Sequence, residues 1–252
     1  MPGLFDIDLP PRIDVSELID DANQPYADLR ASMRDVRRVN RFLGGTSAAA
    51  RQTGRWLRAE RAVSQTGRTI TFLDVATGTC DIPEAVLYQA RRAGVNVRIA
   101  GLDYSAPILR CARERVADKT DLRLLRADAF RLPFADASFD YVLCSLAFHH
   151  FSPEQCVTAL HEMERVARRG WLVNDLRRAW SAWALIRIVM ALAGANRLTH
   201  HDAPASVLRA YTPAEMLEMA RQIGLKPGRD CRLRRSHFYR ITLIRDKNAG
   251  AR

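Results

Sequence analysis

Three aspartates in the first half of the chain each lie where a short apolar segment ends, and carboxylates in such positions attract positively charged ligands. They are Asp74 in segment 69–75, Asp103 after segment 97–102 and Asp128 after segment 122–125. In an open parallel sheet, ligands bind beyond the carboxyl ends of the strands, where the strand order reverses. The small residues Ala76, Thr77 and Gly78 predict a turn that opens a helix. We therefore expect one pocket for a nucleotide-like cofactor at this edge.

The charge of this edge indicates which cofactor it fits. Dinucleotide sites use the pattern Gly-x-Gly-x-x-Gly, which lets a pyrophosphate approach backbone N–H groups. Only Gly78 of that pattern is present, and Asp81 places a negative charge where the pyrophosphate would lie. Asp74, Asp81 and Asp128 would instead attract the sulfonium and ammonium groups of S-adenosylmethionine.

The adenosine part of that cofactor has its own candidates. Asp103 follows Gly78 by about 25 residues, where a carboxylate accepts hydrogen bonds from both ribose hydroxyls. Tyr104, the next residue, is placed to pack against the adenine.

Five sequence blocks carry a resemblance to a known family. In chain order they are Asp74–Cys80, Gly101–Ser105, Ala127–Ala129, Leu132–Phe134 and Ser138–Asp140. Over roughly residues 70 to 176 the chain resembles the class I S-adenosylmethionine-dependent methyltransferases, with Ala76 and Cys80 standing in two of the family's glycine positions. Within that family it is similar to small-molecule enzymes, including quinone C-methyltransferases and enzymes that modify polyketide-derived phenolic lipids. The resemblance implies these cofactor-binding residues: Asp74, Ala76, Thr77, Gly78, Asp81, Asp103, Tyr104, Asp128, Ala129 and Ser145.

The segment after the fourth strand, residues 144–151, faces the reacting methyl group in this family. It lacks the Asn/Asp-Pro-Pro-Tyr/Phe motif of nucleobase and glutamine N-methyltransferases. A histidine has an ordinary pKa of about 6.5, which suits removal of a phenol proton near neutral pH. His149 or His150 is the predicted general base, although the pair would also suit a role in shaping the loop.

A second polar group lies further along the chain, where this fold carries a cover over the substrate. His200, His201, Arg209 and Tyr211 are its predicted substrate-binding residues. Arg209 would bind a phenolate or carboxylate, and one of the histidines, held by Asp202, is an alternative base. A solvated loop followed by a helix N-cap at Thr212 explains Tyr211 onward equally well.

The predicted elements form a doubly wound α/β fold with a mostly parallel sheet and an antiparallel strand at its C-terminal end. Residues 1–15 read as an irregular arm, 16–66 as a helical cap, and 67–252 as the cofactor-binding domain with a lid at about 178–212. Residues 179–195 are almost all apolar except Arg187, too short and too charged in the middle to span a bilayer. They predict a core helix, the wall of an apolar substrate tunnel, or a peripheral membrane contact.

Composition limits the possible cell compartment, metal content and partners of the protein. With 252 residues, of which 48% are hydrophobic, the chain can bury one core. The five cysteines lack the paired spacing of metal or disulfide sites, and no secretory signal is visible, so we expect a cytoplasmic protein without a metal. The net charge of +11 is spread along the chain and consists mostly of arginine, which does not favour a nucleic-acid partner. The oligomeric state is left open.

These observations favour an S-adenosylmethionine-dependent O-methyltransferase that acts on a small phenolic, polyketide-derived or lipidic aromatic acceptor. The alternatives are C-methylation of a quinone precursor, an RNA-binding methyltransferase, and an inactive cofactor-binding partner protein.

Overall fold

The computed structural model describes residues 9–21 and 23–247, and a seven-stranded sheet lies at its centre. The strands are β1 (Ile70–Val75), β2 (Val97–Asp103), β3 (Leu122–Arg126), β4 (Phe139–Ser145), β5 (Ala167–Leu176), β6 (Cys231–Ser236) and β7 (Arg240–Asp246). Their order across the sheet is β3-β2-β1-β4-β5-β7-β6. The first five are parallel to one another, and β7 runs antiparallel to both β5 and β6. The predicted doubly wound sheet with an antiparallel C-terminal strand is therefore confirmed.

The strand order reverses between β1 and β4, which are paired neighbours. Val75 at the end of β1 is in register with Leu102 in β2 and with Cys144 in β4. The carboxyl ends of these three strands are therefore level. The residues that follow each strand meet at one edge, where this class of sheet binds ligands.

Nine α-helices are described. They are α1 (Tyr26–Phe42), α2 (Gly45–Ala59), α3 (Arg61–Ser64), α4 (Asp81–Ala93), α5 (Ala106–Val116), α6 (Pro153–Val166), α7 (Trp180–Ala193), α8 (Arg197–Arg209) and α9 (Pro213–Gln222). Two of them begin with local sequence signals. Ser152 and Gln155 form a capping box at the start of α6, and Thr212 and Glu215 form another at α9, each followed by proline at the first helical position.

Alternate side chains of β1 build two separate layers of core. Ile70 and Phe72 pack with apolar residues of α2, α4 and α5 on one face of the sheet. Leu73 and Val75 pack with residues of α6 and α9 on the other. A third apolar cluster joins α7 and α8, and part of α1 packs against it. This third cluster contributes one wall of the site described below.

The structure differs from the sequence predictions mainly around the site. Residues 16–21, at the start of the predicted helical cap, contain only a short 3-10 turn, Leu18–Asp20. The solvated loop considered for the segment before Thr212 is instead the helix α8, which contains Pro204. Residues 1–8 of the predicted arm and 248–252 at the end of the predicted cofactor domain lie outside the described residues.

Among the described residues, none of the helices combines the length and the apolar character needed to cross a membrane.

Candidate active site

A cavity of about 670 Å³ opens at the carboxyl edge of the sheet. One side of it is lined by the turns after β1, β2 and β3, and the opposite side by α1, α7 and α8. All ten residues predicted to bind the cofactor line this cavity: Asp74, Ala76, Thr77, Gly78, Asp81, Asp103, Tyr104, Asp128, Ala129 and Ser145. His149 and His150 line it as well. The structure thus brings the predicted donor residues and the predicted bases to one space.

The turn after β1 keeps the backbone of a glycine-rich loop although two of its expected glycines are absent. Ala76 and Cys80 have φ angles of 53° and 66°, and Gly78 has 55°. These values lie in the left-handed region, which costs a residue with a side chain roughly 1 kcal/mol or more. Thr77 anchors the turn, since its N–H donates to the Leu102 carbonyl at 2.8 Å and its hydroxyl donates to Asp74 at 2.7 Å. The sequence departures therefore leave the shape of the turn intact.

Asp103 is held by the backbone in an orientation that suits a ligand with two hydroxyls. Its Oδ2 accepts from the Gly78 N–H at 2.9 Å and its Oδ1 accepts from the Ser105 N–H at 3.0 Å. Burial nevertheless raises the pKa of this carboxyl above its ordinary value. Each carboxylate oxygen has a further lone pair, so Asp103 can accept hydrogen bonds from a ribose.

Asp74 is the most deeply buried acid of the edge, with 1% of its surface exposed. Burial raises the pKa of Asp74 to about 7, and the nearby charge of Asp103 adds to the effect, while the Thr77 hydrogen bond opposes it. Its Oδ1 and the Ser145 hydroxyl have no hydrogen-bond partner within the described chain. Buried polar atoms without partners are uncommon in proteins, and these two fit a site completed by a polar, positively charged cofactor.

The other two acids of the edge, Asp81 and Asp128, already have partners within the chain. Asp81 forms an ion pair with Arg115, with 3.0 Å between Oδ1 and Nη1. Asp128 is exposed, and its Oδ1 accepts from the Phe130 N–H at 2.9 Å. Tyr104 is 70% exposed at the rim, which leaves its ring accessible for stacking on a base. Asp74 and Asp103 are therefore the two acids of the edge that are buried and have no ion-pair partner among the described residues.

His149 forms a buried pair with an acid that the sequence analysis did not assign. Its Nδ1 lies 2.7 Å from Asp175 Oδ1, and its own backbone N–H donates to Asp175 Oδ2 at 3.1 Å. A carboxylate only accepts hydrogen bonds, so it fixes the proton on Nδ1 and leaves Nε2 as an acceptor. The His149 ring and its hydrogen bonds lower the pKa of Asp175, against the opposing effect of its complete burial. Asp175 is therefore ionised, and it orients the His149 ring.

His150 has a different environment. Its Nδ1 lies 3.2 Å from Asp20 Oδ2, and its Nε2 lies 3.8 Å from Glu17 Oε2. Burial opposes protonation of this ring, but Glu17 and Asp20 outweigh it and raise the pKa of His150 to about 9. Glu17, His149 and His150 each offer one carboxylate oxygen or imidazole nitrogen, and these three atoms lie within 4.8 Å of one another.

Comparison with known proteins identifies the family. Residues 72–170 match the family model described as a methyltransferase domain. The demethylmenaquinone methyltransferase of Deinococcus radiodurans is 31% identical over 185 residues, which cover 68% of this chain and 74% of that protein. The chain belongs to the class I S-adenosylmethionine-dependent methyltransferases. Its cofactor is accordingly S-adenosylmethionine.

A further relative agrees with this identification, and two solved structures share the fold. The demethylmenaquinone methyltransferase of Staphylococcus aureus is 36% identical over 120 residues, 48% of each chain. A protein of Methanococcus maripaludis assigned to the S-adenosyl-L-methionine-dependent methyltransferases has the same fold, with a TM-score of 0.56 and 14% identity over 90% of this chain and 96% of that one. The structure of a SAM-dependent methyltransferase from Aquifex aeolicus has a TM-score of 0.50 and 17% sequence identity, over 70% of this chain and 81% of that one.

A continuous set of aliphatic side chains lines the methyltransferase cavity away from the cofactor edge, among polar residues such as Asn40 and Arg240. Met33 and Val36 contribute from α1, Leu43 from the residue after it, and Ile186 from α7. Val207 on α8 completes this wall. An acceptor in this space would have its ring or side chain against aliphatic surface and its polar group near the histidines.

None of the four predicted substrate-binding residues lines the cavity. Arg209 is buried beneath it and donates to the backbone carbonyls of His149 at 3.0 Å and His150 at 2.9 Å. Tyr211 donates to the Phe151 carbonyl at 2.7 Å. His201 contacts Asp202, as predicted, but its side chain is about half exposed, and His200 is exposed. Arg209 and Tyr211 therefore hold the histidine segment in place and do not face the acceptor space.

Sequence reasoning missed the carboxylates that surround the histidine pair. Asp175 lies near the end of β5, as Asp74 and Asp103 lie near the ends of β1 and β2, so its position in a strand was a usable signal. Glu17 and Asp20 come from the N-terminal segment, and no local pattern relates that segment to residues some 130 positions later.

Proposed function

We propose that this methyltransferase transfers the methyl group of S-adenosylmethionine to a ring carbon of a hydroxylated aromatic acceptor, a quinol with an apolar substituent. The observation that carries the proposal is the arrangement of the cavity. It combines an acidic edge for the donor, a buried histidine with a free Nε2, and an aliphatic wall. The reduced form of demethylmenaquinone, the molecule in the relatives' name, is a quinol of this kind.

The chemistry follows from the state of the histidine pair. When bound, the cofactor supplies a methyl group on a positively charged sulfur. His149 Nε2 takes the proton of the acceptor hydroxyl, and Asp175 stabilises the imidazolium that forms. The electron pair left on the oxygen makes the neighbouring ring carbon nucleophilic toward the donor's methyl group, and the methyl–sulfur bond breaks with its electron pair staying on sulfur. The ring carbon then loses its proton to solvent, and the oxygen takes back a proton from the His149 imidazolium. The aliphatic wall excludes water and holds the ring, and such alignment supplies much of the rate.

O-methylation of a phenol is the second candidate, and the sequence analysis ranked it first. The same His149 geometry favours it, because the phenolate oxygen formed by proton removal is itself a nucleophile. We rank carbon methylation higher because the relatives' name concerns a quinone.

Product analysis separates these two candidates. The protein would be incubated with donor labelled at the methyl group and with a panel of acceptors: reduced demethylmenaquinone with a short prenyl chain, alkylresorcinols, simple catechols and an RNA pool. We expect a labelled ring methyl on the quinol, identified by NMR. A labelled methyl ether would support the second candidate instead. Tight donor binding without transfer to any aromatic would contradict both and favour an inactive partner protein, and transfer to RNA would contradict the small-molecule proposal.

We also propose that α7 rests on a membrane surface that carries the acceptor. Its outer face exposes Trp180, Ile188 and Leu192, the last by 84%. Leu185 on the same face also lines the cavity, so the apolar surface is continuous with the site. Exposed apolar patches with tryptophan are typical of interfacial helices.

Liposome flotation tests this contact. The protein should float with vesicles containing phosphatidylglycerol, and Leu192→Glu should reduce the bound fraction severalfold. Tyr88→Glu, at an exposed aromatic of α4, serves as the matched control and should bind like the unchanged protein. Equal flotation of all three proteins would refute a role for α7.

A further inference from the structure

The N-terminal segment, residues 9–21, is tied to the floor of the active site by a set of buried contacts. The Leu18 and Ile19 N–H groups donate to the two oxygens of Asp202, at 2.8 and 2.9 Å. Arg209 donates to the Val15 carbonyl at 2.8 Å while it also donates to the histidine carbonyls. The same arginine and the same helix, α8, therefore hold both the N-terminal segment and the histidine pair.

Glu17 is one of three residues of this segment that line the cavity, together with Ile19 and Asp20. It is 5% exposed, and the Ser206 hydroxyl donates to its Oε1 at 2.9 Å. Its Oε1 lies 3.9 Å from His149 Nε2, and its Oε2 lies 3.8 Å from His150 Nε2. These distances are too long for hydrogen bonds, so both Nε2 atoms remain able to contact an acceptor oxygen.

The two imidazoles differ in the charges around them. His150 is faced by Glu17 and Asp20 from the N-terminal segment and by Asp103 from the end of β2, whereas Arg209 on α8 opposes them. These carboxylates favour the charged form of the ring. His149 has one direct partner, Asp175, which fixes its tautomer. The rings lie side by side, with centroids 4.3 Å apart. Two protonated rings at this distance would repel each other, so the protonation of one ring depends on that of the other.

We propose that Glu17 is a positioning residue whose carboxylate, 3.8 Å from His150 Nε2, keeps that ring protonated beside His149, so that the pair works as an anion holder and a base. This inference rests on the proposed function and assigns separate tasks to the two histidines. The acceptor proton moves from its oxygen to His149 Nε2, and the electron pair stays on the oxygen. The His150 Nε2–H then donates a hydrogen bond to that oxygen, and no electrons are exchanged with any other group.

Glu17→Gln tests the proposal because glutamine keeps the shape of the side chain and removes its charge. The first readout needs no acceptor: imidazole NMR of protein labelled in its histidines, followed from about pH 5 to pH 10. The titration of His150 should fall from about 9 toward the ordinary histidine value of about 6.5. At pH 8 the protonated fraction of His150 would then fall by up to about 30-fold, with Asp20 limiting the change. Glu218→Gln, at an exposed carboxylate of α9, should leave the titration unchanged.

Kinetics with the acceptor provide the second readout. The alkaline limb of the acceptor's kcat/KM should move down by about one pH unit or more in Glu17→Gln, while donor affinity stays unchanged. Glu17→Asp keeps the charge, so its pH profile should lie close to that of the unchanged protein. It also provides a test of the charge if the glutamine variant folds poorly. If no acceptor is found, the NMR result still tests the role of Glu17 and only the proposed function fails.

Three results would overturn the proposal. The first is an unchanged His150 titration in Glu17→Gln. The second is loss of turnover at every pH with an unchanged His150 titration, which would make Glu17 itself the base. The third is stoichiometric binding of added Zn²⁺ that accelerates turnover and is reversed by EDTA, which would make the cluster a metal centre.

Discussion

Replacing Asp103 by alanine should weaken binding of S-adenosylmethionine by at least about 100-fold. In the structure both Asp103 oxygens are anchored by backbone N–H groups of Gly78 and Ser105, and the side chain lines the cavity. The carboxylate is thereby oriented before the ligand arrives, so little ordering opposes binding. Hydrogen bonds to a charged group contribute about 1.5–3 kcal/mol each. Two bonds to the ribose hydroxyls then contribute about 3 kcal/mol or more, which corresponds to a loss of at least about 100-fold.

Isothermal calorimetry with S-adenosylmethionine, in the absence of any acceptor, measures this loss directly. Asp103→Asn keeps one acceptor oxygen and should show a smaller loss, about tenfold. Asp118→Ala, at an exposed aspartate paired with Lys119, is the control and should bind normally. A thermal melt would confirm that each variant is folded. An Asp103→Ala variant that is folded and binds the donor within about fivefold of the unchanged protein would refute the assigned role.

Two further predictions concern pH and stability. Because the pKa of Asp74 is raised to about 7 by burial, the donor-free protein carries a neutral Asp74 below that pH, and affinity for the cationic donor should rise from about pH 6 to pH 8 by calorimetry. A buried acid whose pKa is raised on folding makes the folded protein less stable as pH rises through that pKa, so Asp74→Asn should raise the melting temperature at pH 8. The same variant should bind the donor more weakly, and its donor affinity should depend less on pH. A donor affinity with the same pH profile as the unchanged protein would contradict this. Gly170→Ala should lower the melting temperature by roughly 4–8 °C, since an added Cβ would overlap the Arg245 carbonyl and overpacking costs about 2 kcal/mol. A normal melting temperature would show that β5 and β7 can separate there without cost.

Much of the donor half could be predicted because its signals are local. Asp74 and Asp103 follow apolar strands, and a parallel sheet brings such positions to one edge whatever the intervening sequence. The left-handed angles at Ala76 and Cys80 could not be predicted from their residue types, which disfavour that conformation. The family blocks around them carried the prediction instead.

The acceptor half was predicted less well because long-range contacts form it. His149 and His150 lie where the motif places them, but their partners come from β5 and from the N-terminal segment. Arg209 has the charge expected of a substrate ligand, yet its donors are used by backbone carbonyls. The residue types in 195–212 suggested a loop, whereas packing of α8 against α1 and α7 makes that segment helical. The assignments of base and acceptor residues therefore remain predictions.

The central claim is that His149, oriented by Asp175, removes the acceptor proton in a cavity shared with the donor. The most direct measurement is the single-turnover rate of labelled methyl transfer to the identified acceptor, at saturating donor, for the unchanged protein, His149→Gln and the exposed-histidine control His161→Gln. General-base catalysis contributes about 10²–10⁴-fold, so His149→Gln should be slower by at least about 100-fold, with donor affinity within about twofold and His161→Gln unaffected. Full turnover by His149→Gln would contradict the account.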